Sequence, residues 1–411
     1  MSAPAVSARL LRPLRPRDPG EKGRVASELE LLTDLCFVVA VGQAALALHH
    51  GLTGGHTGPA VIGYLMAFFA IWWAWLNFSW FSSAYDNDDV GFRLLTILQI
   101  VGVLTLAGGI AVFSAGIEEG SGHFGLIIVG YVIMRVGLVL QWLRAARNDP
   151  QRRQTCLRYA VGIVVVQLGW VAYYPVTHVE SLVVPLFVLL VLCELAVPFW
   201  AERPGETTWH PHHIAERYGL FFIIVLGETI LSSTLAVQEA FTGETEHRVA
   251  VASVTLGGVL IVFGLWWLYF SRDAAEVLER ARRDGTKVQY LFGFGHYVIY
   301  AAAAAVGAGL AARTEHVAHP EDEHLDLITS AAVTVPIAVL LVAMWAVHLR
   351  LHDSSWRTGL PFFGAAAIVL LGTPLAFSEL LSGAVIAVLV VIETRLAAAA
   401  PPLREHAGGV S

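Results

Sequence analysis

The chain has 411 residues, of which 56% are hydrophobic and 14% charged, with a formal net charge of −7. A soluble globular chain carries roughly 25% charged residues, so this deficit points to a membrane and leaves no stretch for a sizeable soluble domain. The net charge itself decides little, because the placement of the charges matters more than their sum.

Residues 1–27 are basic and Pro-rich, with no apolar core followed by a small-residue cleavage site. They read as a cytoplasmic tail, not a cleaved signal peptide. From there the apolar runs predict an all-α polytopic membrane protein of about twelve transmembrane helices, each about 20 residues long. The predicted spans cover approximately 29–48, 59–82, 92–115, 123–143, 156–175, 181–200, 213–236, 249–270, 287–311, 326–349, 359–376 and 379–399.

Span 1 opens with Glu28, Glu30 and Asp34 and runs apolar to Gln43. Glu30 and Asp34, four apart, share a helix face. The plain reading leaves these acids near the interface, where a positive helix N-terminus favours them; Asp34 is the deepest. Span 2 leads into "SSAYDNDDVGFR", with Asp86, Asn87, Asp88 and Asp89 in a row. Such clusters are ordinary turn and cap chemistry, and the twelve-residue calcium loop with its glycine and closing glutamate is absent. The position keeps Asp86, Asp88, Asp89 and Arg93 as a candidate gating turn. Gln99, Arg135, Gln141, Gln167 and Glu379 are polar residues in or beside the spans without a clear role, and span 6 carries Glu194.

Span 7 begins "WHPHHIAERYGLFFIIVLGETIL" (Trp209 to Leu231). His213, Glu216 and Arg217, spaced by three and four, cluster on adjacent faces at its mouth. Arg217 and Glu228 lie on nearly the same stripe, about 16 Å apart by helix rise, so each needs partners on other helices. Asp34, Gln43, Glu194 and Glu393 are the candidates. Glu228 sits about eleven residues into its helix, too deep for an interfacial anchor. It is either a functional carboxylate or a structural hydrogen-bond hub. His296 in span 9 reads as a satisfied core histidine, and only "FSE" separates the last two spans. Cys36, Cys156 and Cys193 have no metal-ligand spacing and read as small buried side chains.

Basic residues test the topology, since cytoplasmic loops accumulate them. All 26 except Arg135, Arg248 and Arg313 fall on one side if twelve spans leave both termini in the cytoplasm. The halves also echo each other: "FVVAVGQ" with "FIIVLGE", "WLNF" with "WLYF", "VLLVLCE" with "VLVVIE". Offsets between matched positions rise from 185 (Phe37, Phe222) to 192 (Trp75, Trp267) to 199 (Glu194, Glu393), as loop insertions would produce. Two parallel six-helix repeats follow, 28–200 and 201–399, with a short cytoplasmic tail at 400–411. Glu228 is then matched by Gln43, and Glu194 by Glu393.

Taken together, "ELELLTDLCFVVAVGQ", "YDNDDVGFRLL" and "HIAERYGLFFIIVLGETI" resemble the bacterial low temperature requirement protein A family, over about Glu28 to Arg395. Leu32 and Thr33 stand where that family usually has two phenylalanines. The resemblance implies an integral membrane protein of the bacterial cell and supplies no substrate. The leading functional expectation is a transporter or channel-like protein. Its ion or substrate path would use Glu228, Asp34, Gln43, Glu216, Arg217, His213, Glu194 and Glu393 for a proton or cation and an unidentified small solute. Alternatives are a structural or stress-related membrane protein without transport, and an intramembrane metal-dependent enzyme built on His210 to His213 and Glu216. The last lacks the H-E-x-x-H spacing and a full ligand set. No cofactor is expected, nor is nucleic acid, since topology already explains the basic tail. Membrane lipid is the expected partner, with anionic head groups on the basic loops, and a homo-oligomer is compatible.

Overall fold

The computed structural model describes residues 12–118, 124–242, 248–318, 323–352 and 355–399. All of its secondary structure is helical: α1 (Glu28–Thr53), α2 (Thr57–Tyr85), α3 (Val90–Glu118), α4 (Gly125–Asn148), α5 (Arg153–Tyr173), α6 (Glu180–Ala201), α7 (Pro211–Thr242), α8 (Arg248–Tyr269), α9 (Ala274–Arg283), α10 (Val288–Ala318), α11 (Glu323–Met344), the one-turn α12 (Arg350–His352), α13 (Leu360–Leu371) and α14 (Ser378–Ala399). Each predicted apolar interval contains a helix, although that of 359–376 ends at Leu371. Among the described residues, nine helices are long and apolar enough to cross a membrane.

Local chemistry sets the ends. Ser27 and Glu30 form a capping box that starts α1, and Gly54 closes it, satisfying backbone groups the helix leaves open. Asp89 Oδ1 accepts from Phe92 N at 2.8 Å and opens α3. Pro211 is the first residue of α7, where its missing N–H is no loss. One element was not foreseen: the basic stretch after α8, predicted as a loop, contains α9, capped by Asp273. Its Ala275, Val277, Leu278 and Ala281 are buried while Arg280, Arg282 and Arg283 close its last turn.

Large apolar side chains cover the outside of the bundle, among them Leu168 (65% exposed), Phe263 (64%) and Leu371 (80%). A soluble monomer does not present such a surface, whereas lipid accepts it. Cys193 also faces outward and Cys36 is half-buried, so only Cys156 fits the buried reading. At the centre stands α10, whose Ala301–Ala305 run is buried all round. Small side chains allow backbones to approach closely, and α10 packs on α1, α7, α8 and α11.

Much of the packing order recurs along the chain, although α8 also packs extensively on α14 and α2 has no such contact with α6. In the first half α1 packs on α2 and α3, α3 on α4, α4 on α5, and α5 on α6; in the second, α7 packs on α8 and α10, α10 on α11, α11 on α13, and α13 on α14. Very close crossings occur at α3–α4 and α10–α11, and also at α8–α14, where a Cβ on Gly257 would lie 2.6 Å from the backbone of Glu379. A Cβ on Gly109 of α3 would lie 2.6 Å from Ile127 N of α4. A Cβ on Gly309 of α10 would collide with Ala332 O of α11.

Candidate functional site

α1 and α7 meet at the end of the bundle where both begin, called proximal here. Arg217 of α7 and Asp34 of α1 are both excluded from solvent, with Nη2 to Oδ1 at 2.6 Å. Asp34 Oδ1 also accepts from Trp75 Nε1 of α2 at 2.8 Å, and Arg217 Nη2 donates to Ser79 Oγ at 3.1 Å. The Trp75 ring stacks on Phe221, centroids 4.2 Å apart, which fixes the indole donor. Among the described residues Asp34 Oδ2 and Arg217 Nε and Nη1 have no hydrogen-bond partner. The pair is thus joined by a single bond where a bidentate one is the strong geometry.

One turn nearer the proximal end, Glu30 gathers a second set. Its Oε2 accepts from Ser27 N at 2.8 Å and faces His213 Nε2 at 3.2 Å, while Oε1 accepts from Ser82 Oγ at 2.5 Å. Glu216 Oε2 accepts from Ala26 N at 3.1 Å, fastening the segment before α1 to α7. His210 Nε2 donates to Glu21 O at 2.8 Å and its Nδ1 accepts from His213 N at 3.3 Å, which fixes its tautomer. Burial holds the His210 pKa below its ordinary value.

His210, His212 and His213 therefore take three separate partners; His212 reaches Glu279 of α9 at 2.8 Å. Residues predicted from the sequence divide accordingly. Asp34, His213, Glu216 and Arg217 come together. Gln43 is half-buried farther along α1, without a hydrogen-bond partner among the described residues. The side chain of Glu228 lies outside the described residues, although its backbone belongs to α7.

Glu194 does not reach Arg217. It is buried within the first half, accepting from Arg135 at 3.0 Å, Tyr131 at 2.8 Å, Trp73 at 2.9 Å and Trp170 at 3.2 Å. Glu393 lies apart too, 3.9 Å from Arg272. At the opposite end, Arg313 is buried between Glu379 (2.7 Å) and Asp326.

The acidic turn serves as linker and cap. Asp86 Oδ1 accepts from Asp88 N at 2.8 Å, and Arg24 approaches Asp86 to 3.9 Å. Burial raises the Asp86 pKa to about 6. Asp88 adopts φ +47° and pairs with exposed Arg93 at 2.6 Å, a left-handed position that Asp tolerates. Asp89 pairs with Arg144. Sequence reasoning missed Ser79, Ser82 and Trp75. The spacing of Ser79, Ser82 and Ser83 by three and four is the available signal, since it places three hydroxyls on one face of an apolar helix.

The Glu30–His213 and Asp34–Arg217 contacts join the first and third of the stretches that carry the family resemblance. The model of the bacterial low temperature requirement A protein family matches residues 25–394. An uncharacterized protein of Rhizobium meliloti (strain 1021) is 29% identical over 334 residues, covering 78% of this chain and 76% of the relative. With its apolar helices, this match makes the chain a membrane protein of the bacterial low temperature requirement A family.

Proposed function

We propose that the chain is a transporter or channel-like protein of twelve transmembrane helices, built as two parallel six-helix halves with both termini in the cytoplasm. A buried carboxylate would take up a proton or cation and couple it to an unidentified small solute. The observation that carries this reading is the Asp34–Arg217 pair. It ties the first helix of one half to the first helix of the other, and it leaves three buried polar atoms unpartnered. Buried groups of this kind are rare and mark places where a proton, water or ion is accommodated. A proton on Asp34 Oδ2 removes the charge that holds Arg217, and so weakens the tie between the halves. The recurrent part of the packing order and the close crossings at Gly109 and Gly309 support duplication. In parallel-repeat carriers the site lies between the halves.

Glu228, matched to Gln43, is the second acid of the proposed path. In proteoliposomes under a proton or cation gradient, Glu228→Gln and Asp34→Asn are each expected to abolish ion-dependent uptake or current. Undiminished flux in both folded variants overturns the reading. The complete burial of the Asp34–Arg217 pair favours a second one, a structural clasp without transport. In that case the wild-type chain carries no flux under any gradient.

A further inference from the structure

A separate polar place lies between the halves. A cavity of about 40 Å³ opens among α2, α6 and α10, lined by Asn77, Glu202, Gln289 and Tyr290, with Trp142 and Phe294 in its walls. At roughly 10–15 Å³ for each water-sized group, it holds a molecule of about three heavy atoms.

The cavity collects oxygen acceptors without a cation. Each fully buried carboxylate among the described residues has a base within 4.0 Å: Glu30, Asp34, Asp86, Asp89, Asp149, Glu194, Glu379 and Glu393 are all so paired. Glu202 is half-buried at the cavity wall and stands outside that set. It accepts from Thr207 Oγ1 and Tyr290 OH, both at 2.9 Å, and has no basic partner at ion-pair distance among the described residues. The nearby cations are engaged elsewhere: Lys287 pairs with Glu206 at 2.9 Å, and Arg282 donates to Trp209 O. Burial raises the Glu202 pKa against the opposing Tyr290 and Thr207 donors. Gln289 is 3% exposed and its Oε1 has no hydrogen-bond partner. Asn77 gives its amide N–H to Trp73 O at 2.7 Å, which leaves its own oxygen as an acceptor.

An alkylammonium ion meets these requirements together. Its N–H groups match the unpaired oxygens, its charge answers Glu202, and its carbon lies against aromatic faces that attract cations. We propose that this cavity binds a small primary alkylammonium ion, of methylammonium to ethylammonium size, through Glu202, Gln289 and Asn77. The site stands whether or not the ion crosses the membrane.

The test uses the full chain in detergent micelles, titrated with methylammonium chloride at constant ionic strength and followed by tryptophan fluorescence and thermal unfolding. Saturable binding is expected, weaker by about tenfold or more in Glu202→Gln and in Gln289→Leu, the loss of a charge-assisted hydrogen bond. Both variants should keep the wild-type unfolding temperature without ligand; if Glu202→Gln does not fold, Gln289→Leu decides. No saturable response, unchanged affinity in the folded variants, or an equal response to potassium overturns the proposal. Binding without flux in liposomes sinks only the transport reading, and flux without binding sinks only this one.

Discussion

Removing one member of the Asp34–Arg217 pair strands a charge where water does not reach, whereas removing both strands none. Truncation of one partner in a buried pair costs about 3–5 kcal/mol, while a volume-matched apolar replacement of the whole pair is often neutral. Arg217→Met is therefore expected to lower the unfolding temperature in detergent sharply, and Asp34→Asn combined with Arg217→Met to recover most of the loss. A double variant as unstable as the single would show that the surrounding Trp75 and Ser79 contacts matter more than the charges. Asp86 offers a test with a definite sign. Its pKa rises on folding from 3.8 to about 6, so its favourable contribution is complete below pH 3.8 and is lost as pH rises through 6. Asp86→Asn keeps the oxygen that accepts from Asp88 N and removes the titration. Relative to wild type, the variant should gain stability between pH 4 and pH 7, by up to about 3 kcal/mol before any loss from Arg24. An unfolding-temperature difference that stays flat over that range contradicts the assignment.

Helices pack closely here where side chains vanish. Because a Cβ on Gly109 or Gly309 meets the backbone of the next helix, neither neighbour can yield by turning a side chain. Gly109→Leu and Gly309→Leu should each cost about 1–3 kcal/mol or more, seen as loss of monodisperse protein on size exclusion. Normal yield and unfolding temperature for both would remove the argument from close crossing. The apolar intervals were legible because a bilayer demands long runs, and hydropathy reports length directly. By contrast, α9 escaped because a ten-residue amphipathic helix rich in arginine has the composition of a basic loop. Partners across helices were legible only in part. The stripe spacing showed that Arg217 needed an acid elsewhere and placed Asp34 among four candidates, yet no periodicity within one helix can choose between them. The same limit put Glu194 with Arg217, when Tyr131, Arg135 and two tryptophans of its own half enclose it. Serine contacts went unread because a hydroxyl in an apolar helix can always satisfy itself on its own backbone.

For the molecule as a whole, the proposed orientation makes a direct prediction for cells. In a chain whose three cysteines are replaced by alanine, a cysteine at exposed Arg147 should resist membrane-impermeant maleimide until the cells are opened, and one at exposed His56 should react at once. The reverse pattern would invert the topology. The pairing of nearly every buried acid with a base has a further result, which concerns the membrane voltage. A charge that traverses the full potential gains or loses about 2.3 kcal/mol per 100 mV, but an ion pair that moves as a unit carries no net charge through the field. Rearrangement of the halves with Asp34–Arg217 or Arg135–Glu194 intact is electrically silent. Only separation of a pair, or protonation of its acid, makes such a motion sense voltage, so a voltage-dependent rearrangement of the halves would mark the moment at which a pair comes apart or its acid takes up a proton.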